Sequence, residues 1–282
     1  MNVQHHQPQN EILQKHLEFY YFLKTDDSNF ETKYYAFPNI LTPISIHQNI
    51  ETDIQNYSTT VFESDKSNRL AIIQGMRKQP LFVNLLGKLD KITVVFKPLG
   101  LNHFVKNSFA KVCPKDSQIF TEWNDNADYQ DFLQSFYATE NQSERINFLE
   151  EFLLKIYQPL ENEDLLENSI ALLTDFENEK SVENIADEIG LNIRTFNRIF
   201  TENLGISPVG LKKIARFRHS LNNKFFNEQF QRLTDVAYNS NFYDQSYFIN
   251  IYKQMTGSNP KIFFEEVEKV GADNLFFQFL RK

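Results

Sequence analysis

Arg194, Asn197 and Arg198 stand three and four positions apart in a run whose apolar residues, Phe196, Ile199 and Phe200, also repeat at helical spacing. In a helix the two sets take opposite faces, so the polar trio points away from whatever the aromatic stripe packs on. Such a trio can recognise bases. A guanidinium donates twice to O6 and N7 of guanine, and a carboxamide pairs with N6 and N7 of adenine, each worth about 1–3 kcal/mol of discrimination. Further along, Gln245, Ser246, Ile249 and Asn250 accompany Tyr247 on the polar side of a run lined by Phe248, Ile251 and Tyr252. Lys212, Lys213, Arg216, Arg218, Lys224, Lys253 and Lys261 lie around both runs. They are candidates for phosphate contacts, which position a protein on a duplex without reading it.

The elements that must hold these side chains are written twice. Ile185-Ala186 falls on Val236-Ala237 and Leu191 on Phe242 at one offset, 51 residues. After one extra residue in the second turn, Asn192 falls on Asp244, Phe196 on Phe248, Gly205 on Gly257 and Pro208 on Pro260. A repeat of this kind means two copies of one supersecondary unit. Each copy predicts a helix, a tight turn and a second helix. Ser181 is placed to cap the first helix of the first copy, and Asn192 and Asp244 to cap the second helices. Gly190 and Asn241 can take the left-handed conformation that ends a helix, and Gly205 and Gly257 stop the second helices. Ser207-Pro208 and Asn259-Pro260 each pair a cap with a proline at the first helical position. Between the copies, Pro208 to about Phe225 predicts one long helix of roughly 25 Å at 1.5 Å rise per residue.

The doubled pattern, with Arg194-Thr195-Phe196-Asn197-Arg198-Ile199-Phe200, Gly205-Ile206-Ser207-Pro208 and Gln245-Ser246-Tyr247-Phe248, closely resembles the AraC/XylS transcription regulators. The resemblance covers about the last third of the chain. It implies two helix-turn-helix motifs, at about 181–204 and 232–256, joined by a linker helix at about 208–225 that holds them one DNA turn apart. It implies base reading by Arg194, Asn197 and Arg198, and by Gln245, Ser246 and Asn250. Lys212, Lys213, Arg216, Arg218, Lys253 and Lys261 are, as a set, the cations expected to contact phosphate, although any one of them alone is more commonly a solvated surface charge. The family commonly has arginine where this chain has Asn250, so the second motif is expected to read fewer bases and to set register and affinity. The implied partners are double-stranded DNA, RNA polymerase, a small-molecule effector of unknown identity and a second copy of the chain.

The net charge of −8 argues at first against nucleic acid, but the charge is divided unevenly. Residues 1–180 hold 16 basic and 26 acidic residues, whereas 181–282 hold 13 and 11, so the C-terminal part is mildly positive. An acidic partner domain suppresses indiscriminate sticking and leaves binding to specific, salt-sensitive contacts. A single cysteine excludes an internal disulfide framework. The first residues lack a basic, apolar leader and no apolar run approaches a membrane span, which predicts a cytoplasmic protein with no membrane contact.

The fold class expected is α+β. A β-rich, barrel- or sandwich-like domain with helices (1–160) precedes an all-α domain (161–282), with the boundary at Pro159–Asp164. Candidate strands are 33–37, 43–47, 57–63, 69–74, 80–86 and 91–97, separated by Pro and Gly turn signals. Phe37-Pro38-Asn39, Pro43-Ile44-Ser45-Ile46, Gln74–Pro80 and Ile92–Gly100 also resemble the N-terminal β-rich sensory module of some AraC-type regulators. Residues 9–20 predict a helix, as do stripes around Tyr129–Tyr137, Ile146–Ile156 and 163–177. The phenylalanine-rich tail at 265–282 is expected to dock on the N-terminal domain, with a helical partner site as the alternative.

Enzyme chemistry finds little support. GxSxG, a glycine-rich phosphate loop, Cys-x-x-Cys and HExxH are absent. His5 and His6 sit in a polar tail, and His47 and His103 stand alone in the sequence, so no metal and no cofactor is expected. Cys113 has no basic neighbour to activate it. The alternatives are a cupin-like metal enzyme delivered to DNA by its C-terminal domain, and an interaction protein whose helix-turn-helix pair binds protein.

Overall fold

The computed structural model describes residues 4–226, 232–269 and 276–280. β1 (Gln4–His6) leads into α1 (Glu11–His16), whose first turn is capped by the Asn10 side chain accepting from Ile12 N–H. Then come β2 (Leu17–Thr25), β3 (Glu31–Ala36), β4 (Thr42–Gln48), β5 (Ile50–Gln55), β6 (Ser58–Glu63), β7 (Arg69–Gln74), β8 (Leu81–Leu86) and β9 (Leu89–Phe96). A 3-10 turn at Gly100–Phe104 and the short α2 (Phe109–Val112) precede β10 (Ser117–Phe120). Helices α3 (Ala127–Ala138), α4 (Gln142–Ile156) and α5 (Glu163–Thr174) follow. Next are α6 (Val182–Glu188), α7 (Ile193–Leu204), α8 (Pro208–Phe226), α9 (Leu233–Asn239), α10 (Gln245–Thr256) and α11 (Pro260–Glu266), then β11 (Glu268–Lys269) and β12 (Phe276–Phe279).

The strands form two six-stranded sheets, ordered β1-β2-β9-β4-β7-β10 and β11-β12-β3-β8-β6-β5. All pairings are antiparallel except β6 with β8. One apolar cluster lies between the sheets, with Leu23, Ile72 and Leu89 from the first facing Tyr34, Val61, Val83 and Phe277 from the second. A larger cluster joins the other face of the first sheet to α3 and α4 through Tyr20, Phe22, Ile44, Phe136 and Phe152. The N-terminal part is therefore three layers, helices on sheet on sheet. Among the described residues it is a sandwich rather than a closed barrel.

The helix expected over 9–20 ends at His16, and Leu17–Thr25 is a strand. Tyr20 and Phe22 enter the cluster under the helices while Phe19, Tyr21 and Leu23 enter others, so the residues alternate with period two. Their aromatic side chains favour a pleated surface buried on both sides, and that outweighs the coincident helical spacing. The candidate strands all appear, with ends shifted by one or two residues, but β5 and β10 were not foreseen, nor was β1, which pairs the expected polar tail at His5 and His6 with β2. β5 (Ile-Glu-Thr-Asp-Ile-Gln) is a sheet edge carrying Glu51 and Asp53, and charge on an exposed edge discourages pairing with another chain.

The tail docks on the N-terminal part as a strand, not a helix. β12 pairs with β3 in the register Phe277↔Ala36, and the Phe277 ring packs 4.6 Å from that of Tyr34. We expect Phe277→Ala to cost about 3 kcal/mol, read as a lowered urea midpoint, because it empties a buried aromatic site.

Candidate nucleic-acid interface and ligand cavity

Each motif is built as its sequence dictates. Ser181 Oγ accepts from Asn184 N–H (3.1 Å), Asn192 Oδ1 from Thr195 N–H (2.9 Å) and Asp244 Oδ1 from Tyr247 N–H (2.7 Å). The turns are closed by equivalent bonds, Leu191 N–H to Ala186 O (2.9 Å) and Phe242 N–H to Ala237 O (3.1 Å). Gly190 and Asn241 take the positive φ values, 74° and 55°, that these turns require. Phe196, Phe200, Phe248, Ile251 and Tyr252 are buried in one cluster with Leu211, Ile214, Phe217 and Leu221 of α8. The Tyr252 and Ser220 hydroxyls, 2.8 Å apart, fasten α10 to α8. At 19 residues, α8 spans about 28 Å.

That packing leaves Arg194 and Arg198 of α7 exposed, together with Gln245, Ser246 and Asn250 of α10. Arg198 pairs with Glu202 one turn on, at 2.9 Å, with both side chains more than half exposed. Asn197 is half-buried and donates to Ile193 O of its own helix (2.8 Å), so it must leave that bond to reach a base. Ile249 is half-buried in the core cluster, which explains why an apolar residue sits at a position matching Asn197.

The phosphate candidates divide. Lys253 and Lys261 are exposed, and Lys213 donates to Gln254 on α10 at 2.6 Å. Lys212 and Arg216 are different: both are held by Glu179, and Lys212 also donates to Lys180 O. Arg218 is buried at 8% exposure. Lys212 and Arg216 would have to leave Glu179 to reach a phosphate, and Arg218 would have to leave its buried position.

Two aromatic residues were not foreseen. Tyr238 and Tyr243 are 82% and 92% exposed beside the second turn. Tyr243 is the extra residue that shifts the repeat offset, so its insertion was visible in the sequence, but its role was not. Phenolic hydroxyls there suit phosphate oxygens.

The family model described as a helix-turn-helix domain matches residues 185–266. This segment is a helix-turn-helix domain. Among solved structures, ToxT from Vibrio cholerae aligns with 94% of this chain and 98% of its own, at 16% identity and a TM-score of 0.46. An unsaturated-fatty-acid-bound ToxT aligns with 89% and 98%, at 15% identity and 0.40. ToxT bound to (E)-4-(8-methylnaphthalen-1-yl)but-3-enoic acid aligns with 94% and 97%, at 15% and 0.42. No curated protein sequence matches this chain. Among the described residues, no helix is long and apolar enough to cross a membrane.

Arg218 lines a cavity of about 50 Å³ where the helix-turn-helix domain meets the sandwich, together with Arg77, Tyr21, Tyr34, Phe37 and Phe277. Arg77 makes two long hydrogen bonds, to Gln74 Oε1 (3.4 Å) and Phe37 O (3.3 Å), and its Nε has no partner among the described residues. Burial pulls the Arg77 pKa down to about 10. Burial, then repulsion from Arg77, pulls that of Arg218 down to about 9. Arg218 also lines an open cleft of about 340 Å³ with Lys97, Phe176 and His219. Two buried guanidiniums sharing one cavity favour an anion, which would relieve their repulsion and their desolvation.

Two other sequence expectations are settled by position. Burial pushes the Cys113 thiol up to about 12, which keeps it inert. His103 does not stand alone, and the expectation of no metal-ligand cluster fails there, because the fold brings His16 and Glu163 against it.

Proposed function

We propose that this chain is a sequence-specific DNA-binding transcription regulator whose N-terminal sandwich senses an anionic small molecule. The observation that carries the first part is the exposed Arg194–Arg198 face of α7, in a doubled helix-turn-helix whose cores are closed and whose two second helices are both capped. Arg194 and Arg198 read bases, Asn197 joins them once it leaves Ile193 O, and Gln245, Ser246 and Asn250 supply a weaker second reading face. Lys213, Lys253 and Lys261 contact phosphate, with the hydroxyls of Tyr238 and Tyr243. Few basic residues face outward, so we expect affinity to fall with salt by a shallow slope, set by a small number of phosphate contacts. A binding series in increasing potassium chloride on a preferred duplex checks this.

The second part rests on Arg77 and Arg218. Arg77 lies between β7 and β8 of the sandwich and Arg218 lies on α8 between the two motifs. An anionic headgroup held by both ties the sandwich to the helix that spaces the recognition helices. Such a ligand shifts DNA occupancy only to the extent that it prefers one arrangement of the two parts. We expect a short carboxylate of two or three carbons to bind and the alcohol of the same chain length not to bind. Arg77→Met should lower carboxylate affinity about 10- to 100-fold, in line with roughly 1.5–3 kcal/mol for a charge-assisted hydrogen bond. Titration calorimetry with both compounds checks this, and equal binding of acid and alcohol would remove the anion from the proposal.

A further inference from the structure

His16 ends α1 and His103 lies in the 3-10 turn, and the two rings sit 3.8 Å apart between centroids, both buried. Glu163, the first residue of α5, brings Oε1 to 2.9 Å from His103 Nε2 and 3.9 Å from His16 Nδ1. One potential ligand atom from each residue falls within 4.8 Å of the others. His103 Nδ1 lies 2.9 Å from Gln158 O, and a carbonyl can only accept, so Nδ1 carries the ring proton. The remaining nitrogen, Nε2, is buried and makes no hydrogen bond among the described residues, even though a carboxylate oxygen lies within reach. A lone pair facing a carboxylate oxygen at this distance is repulsive unless a cation, either a proton or a metal ion, lies between them.

We propose that His16, His103 and Glu163 bind a divalent transition metal, with zinc the natural occupant. Two imidazoles and one carboxylate are a recognised zinc set, with Zn–N near 2.0–2.1 Å and Zn–O near 2.0–2.2 Å. At those lengths, tetrahedral ligand atoms lie roughly 3.3 Å apart, between the two separations from Glu163. The Nδ1–H to carbonyl bond is the outer contact that fixes a ligating histidine's tautomer and orientation. The scaffold is rigid. Gln158 N–H also donates to His103 O (2.9 Å), and Lys97 N–H to His16 O (2.9 Å). A side chain at Gly100 would meet His16 O at 2.0 Å, so only glycine lets the two histidine-bearing segments approach this closely. The rings of His16 and His103 are covered by Tyr157 at 5.5 and 5.4 Å.

The site has a consequence for regulation. Both histidines belong to the N-terminal part, whereas Glu163 opens α5, which packs on α6 and α8 of the helix-turn-helix domain. The metal therefore acts as a clasp at the junction, distinct from the Arg77–Arg218 cavity and independent of whether that cavity holds a ligand.

The test uses the full chain, stripped with a chelator, dialysed against zinc and then against metal-free buffer, with retained metal measured by plasma emission. We expect one zinc per chain and a higher melting temperature for the loaded protein. Glu163→Gln, a near-isosteric change at a partly exposed residue, should abolish both effects, and His103→Gln likewise. Cobalt in place of zinc should give a visible d–d band in the wild type that Glu163→Gln lacks. A His5→Gln/His6→Gln double variant, changed only in the N-terminal segment, should retain the metal. No retained zinc, or zinc retained equally by Glu163→Gln, overturns the proposal and leaves an ordinary buried His–Glu pair.

Discussion

Replacing Arg198 with alanine is expected to lower affinity for the preferred duplex about 10- to 100-fold, the 1–3 kcal/mol of one bidentate guanine contact. Affinity for random duplex should change far less, because that non-specific term is shared among several cations on the phosphate backbone and Arg198 supplies only a small part of it. In the free protein Arg198 is held by Glu202, but that pair is exposed. Exposed i,i+4 pairs contribute only about 0.3–0.5 kcal/mol, so breaking it for DNA is cheap. Glu202→Gln should thus strengthen binding to all duplexes, by freeing Arg198 and removing a negative charge near the backbone. Arg194→Ala should resemble Arg198→Ala but relax a different base position. Fluorescence anisotropy on matched and scrambled duplexes separates these outcomes, and an equal loss on both would assign Arg198 to phosphate.

The largest stability effect is expected away from the DNA face. Arg145 on α4 is buried and forms a bidentate pair with Asp90 on β9, at 2.8 and 2.9 Å, while its Nε donates to Thr139 O at 2.7 Å. Its guanidinium also lies 5.0 Å from the Phe136 ring centre. Truncation leaves Asp90 without its partner at the junction of helix layer and sheet. Arg145→Ala should therefore cost about 3–5 kcal/mol. That is a large share of a typical domain stability of about 5–15 kcal/mol. Arg145→Lys should recover little of it, because an ammonium cannot reproduce the two-pronged geometry. Urea unfolding measures both variants. DNA affinity of the folded fraction should stay near wild type, since α4 lies outside the helix-turn-helix domain.

Legibility differed sharply between the two halves of the chain. The helix-turn-helix pair was readable because local signals agreed: caps at Ser181, Asn192 and Asp244, positive-φ residues at Gly190 and Asn241, and one apolar face per helix. All are found in those roles. The outward placement of Arg194 and Arg198 followed from the same periodicity. What spacing could not reveal was which outward-looking cations the rest of the chain would claim. Arg216 and Lys212 are taken by Glu179, more than 30 residues away, and Arg218 by the junction with the sandwich. In the N-terminal part β3, β4 and β6 to β9 were visible as individual strands, but their pairing was not. β2 was hidden because its aromatic residues satisfy helical spacing too. β12 was hidden because its partner β3 lies more than 200 residues earlier. The His16–His103–Glu163 cluster gave no motif at all, since its members come from three separate elements that only tertiary packing unites.

The most direct test of the central proposal is selection of bound duplexes from a random pool by the full chain, run in parallel with Arg194→Ala and Arg198→Ala. We expect the wild type to enrich one motif, with its most constrained bases where α7 lies, and each variant to lose preference at a distinct position within it. Enrichment of no motif, or of a motif that both variants select unchanged, would contradict base reading by the first helix-turn-helix.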